Sequence, residues 1–423
     1  MKPQLAKGMR DLKPEDMIIL KNVVSILEKN FAIFGYNPIQ TPSIERYDTM
    51  ASKYTGGAEI LKETFKLTDQ GKRKLALRYD LTVPVCRFMA MNPQLKMPFK
   101  RYQIGRVFRD GPIRPNRYRE FTQCDVDVIG VKGVSADAEC VEVALKCFED
   151  FKIPVVLQVN NRKVLDELME KFGIKKSART GTILAIDKIE KKLRVEIEKE
   201  IKALGVKQES IDKLFDVFML RNNRALEKVE EVLGSESEGV KEIKELLALC
   251  PYPSVVFNPA LARGLSYYTG TVFEVFVADG SIRSSVAGGG RYDNMIAALM
   301  GSKQEYPAVG ISFGLDVIVD ALKRRQKSVV KSTVSLYVVP IGVEVKDVWS
   351  FVKELRGAGI ATDLSFGRKG ITKNIKYADS YGIPYVLLVG EDEIKSKKFS
   401  LKNLKTGKEK KLTLKQVIKE VKS

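Results

Sequence analysis

Apolar and polar residues alternate with period two on either side of a loop rich in Gly, Pro and Arg between Phe99 and Gly130, FKRYQIGRVFRDGPIRPNRYREFTQCDVDVIG. That pattern predicts a long antiparallel hairpin. Alternation puts Arg101, Gln103 and Arg109 on one face of the first strand. On the second strand Arg119, Gln123, Asp125 and Asp127 share one face, and Thr122, Cys124, Val126 and Val128 the other. A strand with one charged and one apolar face is half buried, so its polar side must look at water or at a ligand. Arginines beside carboxylates suit a ligand with both anionic and cationic groups. A solvated face with cross-strand ion pairs satisfies the same pattern.

The remaining periodicities place the other elements. Residues 13–34 open with Lys13-Pro14-Glu15-Asp16, proline in the first turn and acids at the positive end of the dipole. Met17, Leu20, Val24, Leu27 and Phe31 then recur at helical spacing as far as Gly35. Lys74 to Pro84 reads as a strand running into a tight turn, residues 135–151 as a helix, and Val155 to Val159 as a strand. From about 163 to 250 the texture is helical. There Ile186, Ile189, Leu193, Ile197, Ile201 and Leu204 fall three or four apart and predict a helix ending at Gly205. A strand follows through Thr269, Thr271, Phe273 and Val275. The glycines of Ala287–Asp293, AGGGRYD, allow close backbone approach before a helix that begins near Asn294. Beyond a polar linker, strands at Leu336–Pro340, Ala361–Leu364 and Tyr385–Val389 alternate with helices at 344–356 and 370–381. A basic hairpin around Lys405-Thr406-Gly407-Lys408 and a final helix complete the chain. The whole is α/β (α+β), with a first domain over 1–325, a linker at 326–332 and a mixed α/β domain over 333–423.

Composition narrows the chemistry. The chain has 423 residues, enough for two or three domains with a substantial core. It holds no run of 18 apolar residues, and its start, MKPQLAKGMRDL, is too polar for a signal peptide. Five scattered cysteines (Cys86, Cys124, Cys140, Cys147, Cys250) with no C-x-x-C pair fit a reduced, cytoplasmic setting and give no zinc pattern. The formal charge of +19 favours a polyanionic partner. The last 98 residues carry 20 Lys and Arg against 10 Asp and Glu, so more than half of the excess is local to them. There is no histidine. An imidazole base, a Ser-His-Asp triad and a His-ligated metal are therefore excluded, and catalysis must use carboxylates, Arg, Lys, Tyr, amides or the substrate's own groups.

The hairpin resembles motif 2 of class II aminoacyl-tRNA synthetases in the histidyl-tRNA synthetase version: Phe-Arg, a loop, RYREF, a Gln, and an acid before a Gly. Other segments agree in order over nearly the whole chain. Gly35 to Glu45, GYNPIQTPSIE, with the helix before it resembles motif 1, which implies a homodimer. KLALRYDLTVP resembles the family's LR-x-[ED]-x-T segment, with Asp80 and Thr82 at the positions that hold the substrate's amino group. Arg263 to Phe276, RGLSYYTGTVFEVF, resembles the family's own signature, with Ser266 where many relatives have Asp. Val309 to Val317, VGISFGLDV, resembles motif 3, but Val317 occupies the position of its arginine. Arg324 and Arg325 lie two turns further on. Residues 163–250 resemble the family's helical insertion, expected beside the tRNA acceptor stem, and 333–423 its anticodon-binding domain.

The resemblance implies a histidine–tRNA ligase that joins L-histidine to the α-phosphate of ATP, with Mg²⁺, and passes it to the 3′ end of tRNA(His). It implies Arg109, Arg263 and Gln123 as catalytic residues. Asp80, Thr82, Gln123, Asp127, Tyr267, Tyr268 and Tyr292 would bind histidine, and Arg109, Arg117, Phe121 and Arg263 would bind ATP; no metal-ligand set is implied. Rival readings are a non-catalytic paralog of the ATP phosphoribosyltransferase regulatory type, which the Val317 departure favours, and a synthetase-like RNA-binding protein. The retained C-terminal domain, Arg109 and Arg263 weigh against the paralog.

Overall fold

The computed structural model describes residues 2–52, 61–113, 118–189, 192–220, 222–263, 267–302, 304–325, 330–367 and 370–422. Arg117, Gly264 and Ser266 lie outside the described residues. The chain divides into two compact units, residues 1–10 with 23–325 and residues 11–22 with 326–423.

Among the described residues the first unit is organised on eleven strands. They are β1 (Asn37–Pro38), β2 (Ile44–Arg46), β3 (Lys66–Thr68), β4 (Lys74–Leu77), β5 (Phe99–Phe108), β6 (Glu120–Ile129), β7 (Val155–Asn161), β8 (Val255–Phe257), β9 (Thr271–Val277), β10 (Ala287–Arg291) and β11 (Ala308–Gly314). Eight of them form one sheet in the order β1-β5-β6-β11-β10-β9-β7-β8, and β2-β4-β3 make a small second sheet. The large sheet is antiparallel except at its two edges, where β1 runs parallel to β5 and β8 parallel to β7. Its hairpin is the expected one, β5 against β6 over ten residue pairs.

One face of this sheet is apolar and covered by helices. Cys124, Val126 and Phe313 are buried there with Phe31 of the helix Pro14–Ile33 and Phe148 of the helix Ser135–Asp150. The Phe313 ring centroid lies 6.0 Å from those of both Phe31 and Phe148. Aromatic rings at such separations contribute beyond their buried area. The opposite face is polar across six strands. The register aligns Gln103, Asp125, Ser312, Gly288, Glu274 and Gln158 in one row, and Arg101, Asp127, Gly310, Gly290, Val272 and Asn160 in the next.

The helical region differs from its expected form at one place. The run expected as a single helix through Ile186 and Leu204 is two helices, Lys176–Ile186 and Arg194–Lys202. The Glu196 carboxylate accepts the Leu193 backbone N–H at 3.0 Å and so starts a new helix. Ile186 closes the first buried stripe, and Ile197 and Ile201 form the second, while Leu193 is exposed. Two short apolar stripes in sequence mimic one long one.

The second unit is a five-stranded sheet of β12 (Leu336–Pro340), β13 (Thr362–Leu364), β14 (Tyr385–Val389), β15 (Lys398–Asn403) and β16 (Glu409–Thr413). Its order is β13-β12-β14-β15-β16. Val348, Val352, Leu355, Leu414 and Val417 pack on one side of the sheet, and Ala378 and Ile383 belong to a separate cluster with Tyr337, Val339 and Val386. A helix at Glu391–Ser396 was not expected from periodicity; it is six residues long with three acids in its first turn. All five cysteines are free and buried, in keeping with their lack of paired spacing. Among the described residues no helix is long and apolar enough to cross a membrane.

Candidate active site

The polar face of the large sheet is mostly shut away from water. Arg101 is 0% exposed, Asp127 3% and Asp125 4%, so the charged stripe of the hairpin is not a solvated surface. A cavity of about 70 Å³ lies over it. Nine of the sequence-predicted residues line that cavity: Asp80, Thr82, Arg109, Gln123, Asp127, Arg263, Tyr267, Tyr268 and Tyr292. Phe121 stands beside it, its ring 5.0 Å from the Arg109 guanidinium carbon. Arg117 lies outside the described residues.

Each side chain is held by a local reason. Asp80 precedes the helix Thr82–Met91 and accepts the Val83 N–H at 3.0 Å, so it caps the helix that carries Thr82. Arg109 packs over the Tyr79 ring at 4.3 Å, and its Nε donates to the Tyr79 carbonyl at 3.4 Å. Arg263 donates from Nη1 to the Phe273 carbonyl at 3.3 Å and pairs with Glu274 at 3.2 Å. Burial works against its charge, but Tyr268, Glu274 and Tyr267 hold the guanidinium above its usual range. The Tyr267 and Tyr268 rings lie 4.6 Å apart, tilted by 41°, and Tyr267 meets Tyr292 edge-on at 6.4 Å.

Glycines make room for these groups. A Cβ at Gly288 would lie 1.9 Å from Arg263 Nη1, and one at Gly310 would lie 2.0 Å from Asp127 Oδ1. In AGGGRYD, Gly288 thus serves a close approach to the site's own cation, while Gly289 and Gly290 make room for the Gly310 backbone and the Tyr268 ring. Gly310→Ala is expected to destabilise the fold by about 1–3 kcal/mol through overpacking. It should also displace Asp127 from the cavity wall, and thermal unfolding would check the loss of stability.

Asp127 is not a free acceptor. Arg101 pairs with it at 2.5 Å, and the Tyr292 hydroxyl donates to its Oδ1. Burial pushes its carboxyl above the usual range, while Arg101 and the Tyr292 hydroxyl pull it back. Gln123 donates from Nε2 to the Ser312 hydroxyl at 3.2 Å, leaving its buried Oε1 without a partner. Alternation placed Arg101 and Asp125 on this face, but sequence reasoning assigned neither to the site. The cross-strand pairing of Arg101 with Asp127 would have been the signal for the former.

At the motif 3 end, Arg324 and Arg325 are turned to the Ser281 carbonyl and to Asp279. The cation found there is one that sequence reasoning missed. Arg10 pairs with Asp316, next to Val317, and lies 3.9 Å over the Tyr118 ring. Asp316 also accepts the Thr122 N–H at 2.8 Å, which ties this corner to β6. A larger cleft of about 820 Å³ shares Arg263 with the small cavity and reaches Glu274, Gln158, Asn258 and Asp187. Among the described residues no group of three Cys, Asp or Glu is placed to hold a metal ion.

Comparison with known proteins accords with this arrangement. Residues 8–318 match the family model for histidyl-tRNA synthetase, and 335–423 that for an anticodon binding domain. The chain is 41% identical over 421 residues to histidine–tRNA ligase 1 of Bacillus cereus, covering 98% of this chain and 96% of that one. It is 42% identical over 413 residues to histidine–tRNA ligase 2 of Shouchella clausii, covering 96% and 97%. The crystal structure of histidyl-tRNA synthetase from Nostoc sp. PCC 7120 superposes with a TM-score of 0.85 at 26% identity, covering 100% of this chain and 99% of that one. A cavity over the polar sheet face lined by two arginines, four tyrosines and three aspartates, on a chain matched along nearly its full length, leaves one assignment: this protein belongs to the histidyl-tRNA synthetase family, with a class II catalytic fold and an anticodon-binding domain.

Proposed function

We propose that this protein is a histidine–tRNA ligase, which activates L-histidine with ATP and transfers it to the 3′ end of tRNA(His). The observation that carries the reading is the pairing of Arg109 and Arg263 on the wall of one small cavity with Asp127, Tyr267, Tyr268 and Tyr292. In the first step a histidine carboxylate oxygen attacks the ATP α-phosphorus, a C–O–P bond forms and pyrophosphate leaves. Two anions must meet, so fixed positive charge matters more than a base. Arg109 and Arg263 supply it, and arginine keeps its charge while offering a bidentate fork.

The amino group of the substrate would be met by Asp80, Thr82 and the unpartnered Gln123 Oε1, an acceptor suited to an ammonium N–H. Asp127 and the tyrosines would face the imidazole. A pocket built on hydrogen bonds to a ring N–H rejects isosteres that lack it. Mg²⁺, expected with ATP, would help to neutralise the phosphate charge. In the second step a terminal tRNA hydroxyl attacks the adenylate carbonyl, an ester forms and AMP departs. With no histidine in the chain, a non-bridging phosphate oxygen takes the hydroxyl proton.

A cytoplasmic homodimer completes the reading. Ile33 and Ile44 expose apolar side chains from the segment that resembles motif 1, and Met91 and Met97 do so at and beyond the end of the helix Thr82–Met91. Exposed apolar groups of this kind suit a subunit interface. The second unit would hold the anticodon stem. There Phe366 is 67% exposed, an unusual state for an aromatic residue and a ready platform for an unpaired base. Phe366→Ala is expected to weaken tRNA binding by about 1–3 kcal/mol with pyrophosphate exchange unchanged. Filter binding of tRNA transcript beside the exchange assay would check both halves.

A further inference from the structure

The buried charge on the polar sheet face does not balance without a ligand. Asp127 is matched by Arg101 and the Tyr292 hydroxyl. Asp125, two residues earlier on the same face of β6, has no such match. It is 4% exposed, it lines the cavity, and its Oδ1 has no hydrogen-bond partner. A buried polar atom left unpaired costs stability, and in a native pocket it calls for an explanation.

The surroundings identify what is missing. Facing Asp125 are Arg101 from β5, Asp127 from its own strand, Ser312 from β11 and Asp80 from the turn after β4. Arg78 acts on it from the same turn, but its Nε and Nη1 are committed to the carbonyls of Arg106 and Thr41. The Ser312 hydroxyl hydrogen-bonds Asp125 and itself accepts from Gln123, so neither leaves the free oxygen satisfied. A small group bearing an N–H, entering between Gln123 and Asp127, would meet it.

We propose that Asp125 is a further histidine-recognising residue, its free Oδ1 accepting an imidazole N–H of the bound amino acid beside Asp127. The inference rests on the ligase reading and deepens it. Gln123 and Asp80 take the ammonium end, Asp127 is held rigid by Arg101 and Tyr292, and Asp125 is the acceptor still open at the ring. Burial also pushes the Asp125 carboxyl up to about 7, against the pull of Arg101. Its folded value thus lies above its unfolded one, so the residue is a liability to the fold, fully present above pH 7 and smaller as pH falls toward 4. A group kept at the expense of stability inside a pocket is what a binding role predicts and a structural role does not.

The test is Asp125→Asn in the full-length protein, assayed by histidine-dependent pyrophosphate exchange. The KM for histidine should rise about 10- to 100-fold, the range for a hydrogen bond to a charged group, with the KM for ATP and kcat near wild type. L-β-(2-thienyl)alanine, a ring of similar shape without the N–H, should be discriminated against less by the variant than by wild type. The thermal midpoint of the free variant at pH 8 should match or exceed wild type, with the gap closing at pH 5. An unchanged histidine KM, or a lowered midpoint with both KM values raised together, overturns the inference. If the wild-type protein shows no histidine-dependent exchange, the ligase reading itself has failed. Should the Asn variant not fold, Asp125→Ser is read in the same way.

Discussion

Replacing Arg263 by alanine is expected to lower histidine-dependent ATP–pyrophosphate exchange by about 10²- to 10³-fold while tRNA binding stays near wild type. The guanidinium stands over a glycine strand that would not admit even a methyl group, 1.9 Å from where the Gly288 Cβ would be. It is anchored by Glu274 and the Phe273 carbonyl, so its position is set before any substrate arrives. Preorganised charge acts on the transition state without reorganisation cost, which is why one such group accounts for several kcal/mol. Lysine should restore little, since a point charge on a flexible stem lacks the fork. Exchange kinetics with filter binding of tRNA would distinguish lost chemistry from lost fold. An Arg263→Ala enzyme with wild-type exchange would refute its assignment.

The second large effect is on stability. Arg291 occupies the same GGRYD segment as Tyr292 but, by alternation along β10, serves a different purpose. It pairs with Asp137, 0% exposed on the helix behind the sheet, and also meets Asp293 at 3.1 Å. It donates to the carbonyls of Val131 at 3.1 Å and Gly133 at 2.7 Å. Four partners on one guanidinium satisfy a buried charge. Removing one side of such a pair leaves the other uncompensated, at about 3–5 kcal/mol. Asp137→Ala should therefore destabilise the first unit by about that amount. Replacing both residues with apolar ones of similar volume should cost much less. Denaturant unfolding of wild type, Asp137→Ala and the double mutant would show the double mutant more stable than Asp137→Ala, or else the pair is not behaving as a buried ion pair.

Much of the hairpin was legible because β5 and β6 are neighbours in sequence. Period-two alternation fixes which side chains share a face, and the register then bears it out from Phe99 opposite Ile129 to Phe108 opposite Glu120. What alternation cannot give is the partner across a non-sequential pairing. β6 lies beside β11, some 180 residues on, and β11 beside β10. Ser312 under Gln123, Gly310 against Asp127 and Gly288 beneath Arg263 are consequences of that order. The pairing of Arg10 with Asp316 is longer still in sequence, and no local pattern announces it. Of the small sheet β2-β4-β3 only β4 was legible, as the start of the strand read from Lys74, because β2 and β3 are three residues long, too short for a period to show. The split helix at Leu193 failed for the opposite reason: its apolar spacing is correct on both sides, and only the Glu196 cap marks the break.

Asp125 shows where sequence reasoning could have gone further. It shares the polar face of β6 with Gln123 and Asp127, yet three acceptors in alternate positions look like redundancy until burial is known. Once Arg101 is seen to take up Asp127, the third position acquires a reason.

The most direct test of the account is ATP–pyrophosphate exchange by the purified full-length protein, with Mg²⁺ present and each of the twenty amino acids supplied in turn. Exchange with L-histidine, far above that with any other amino acid, is the predicted result. Exchange with none of them, or preferentially with another amino acid, would contradict it.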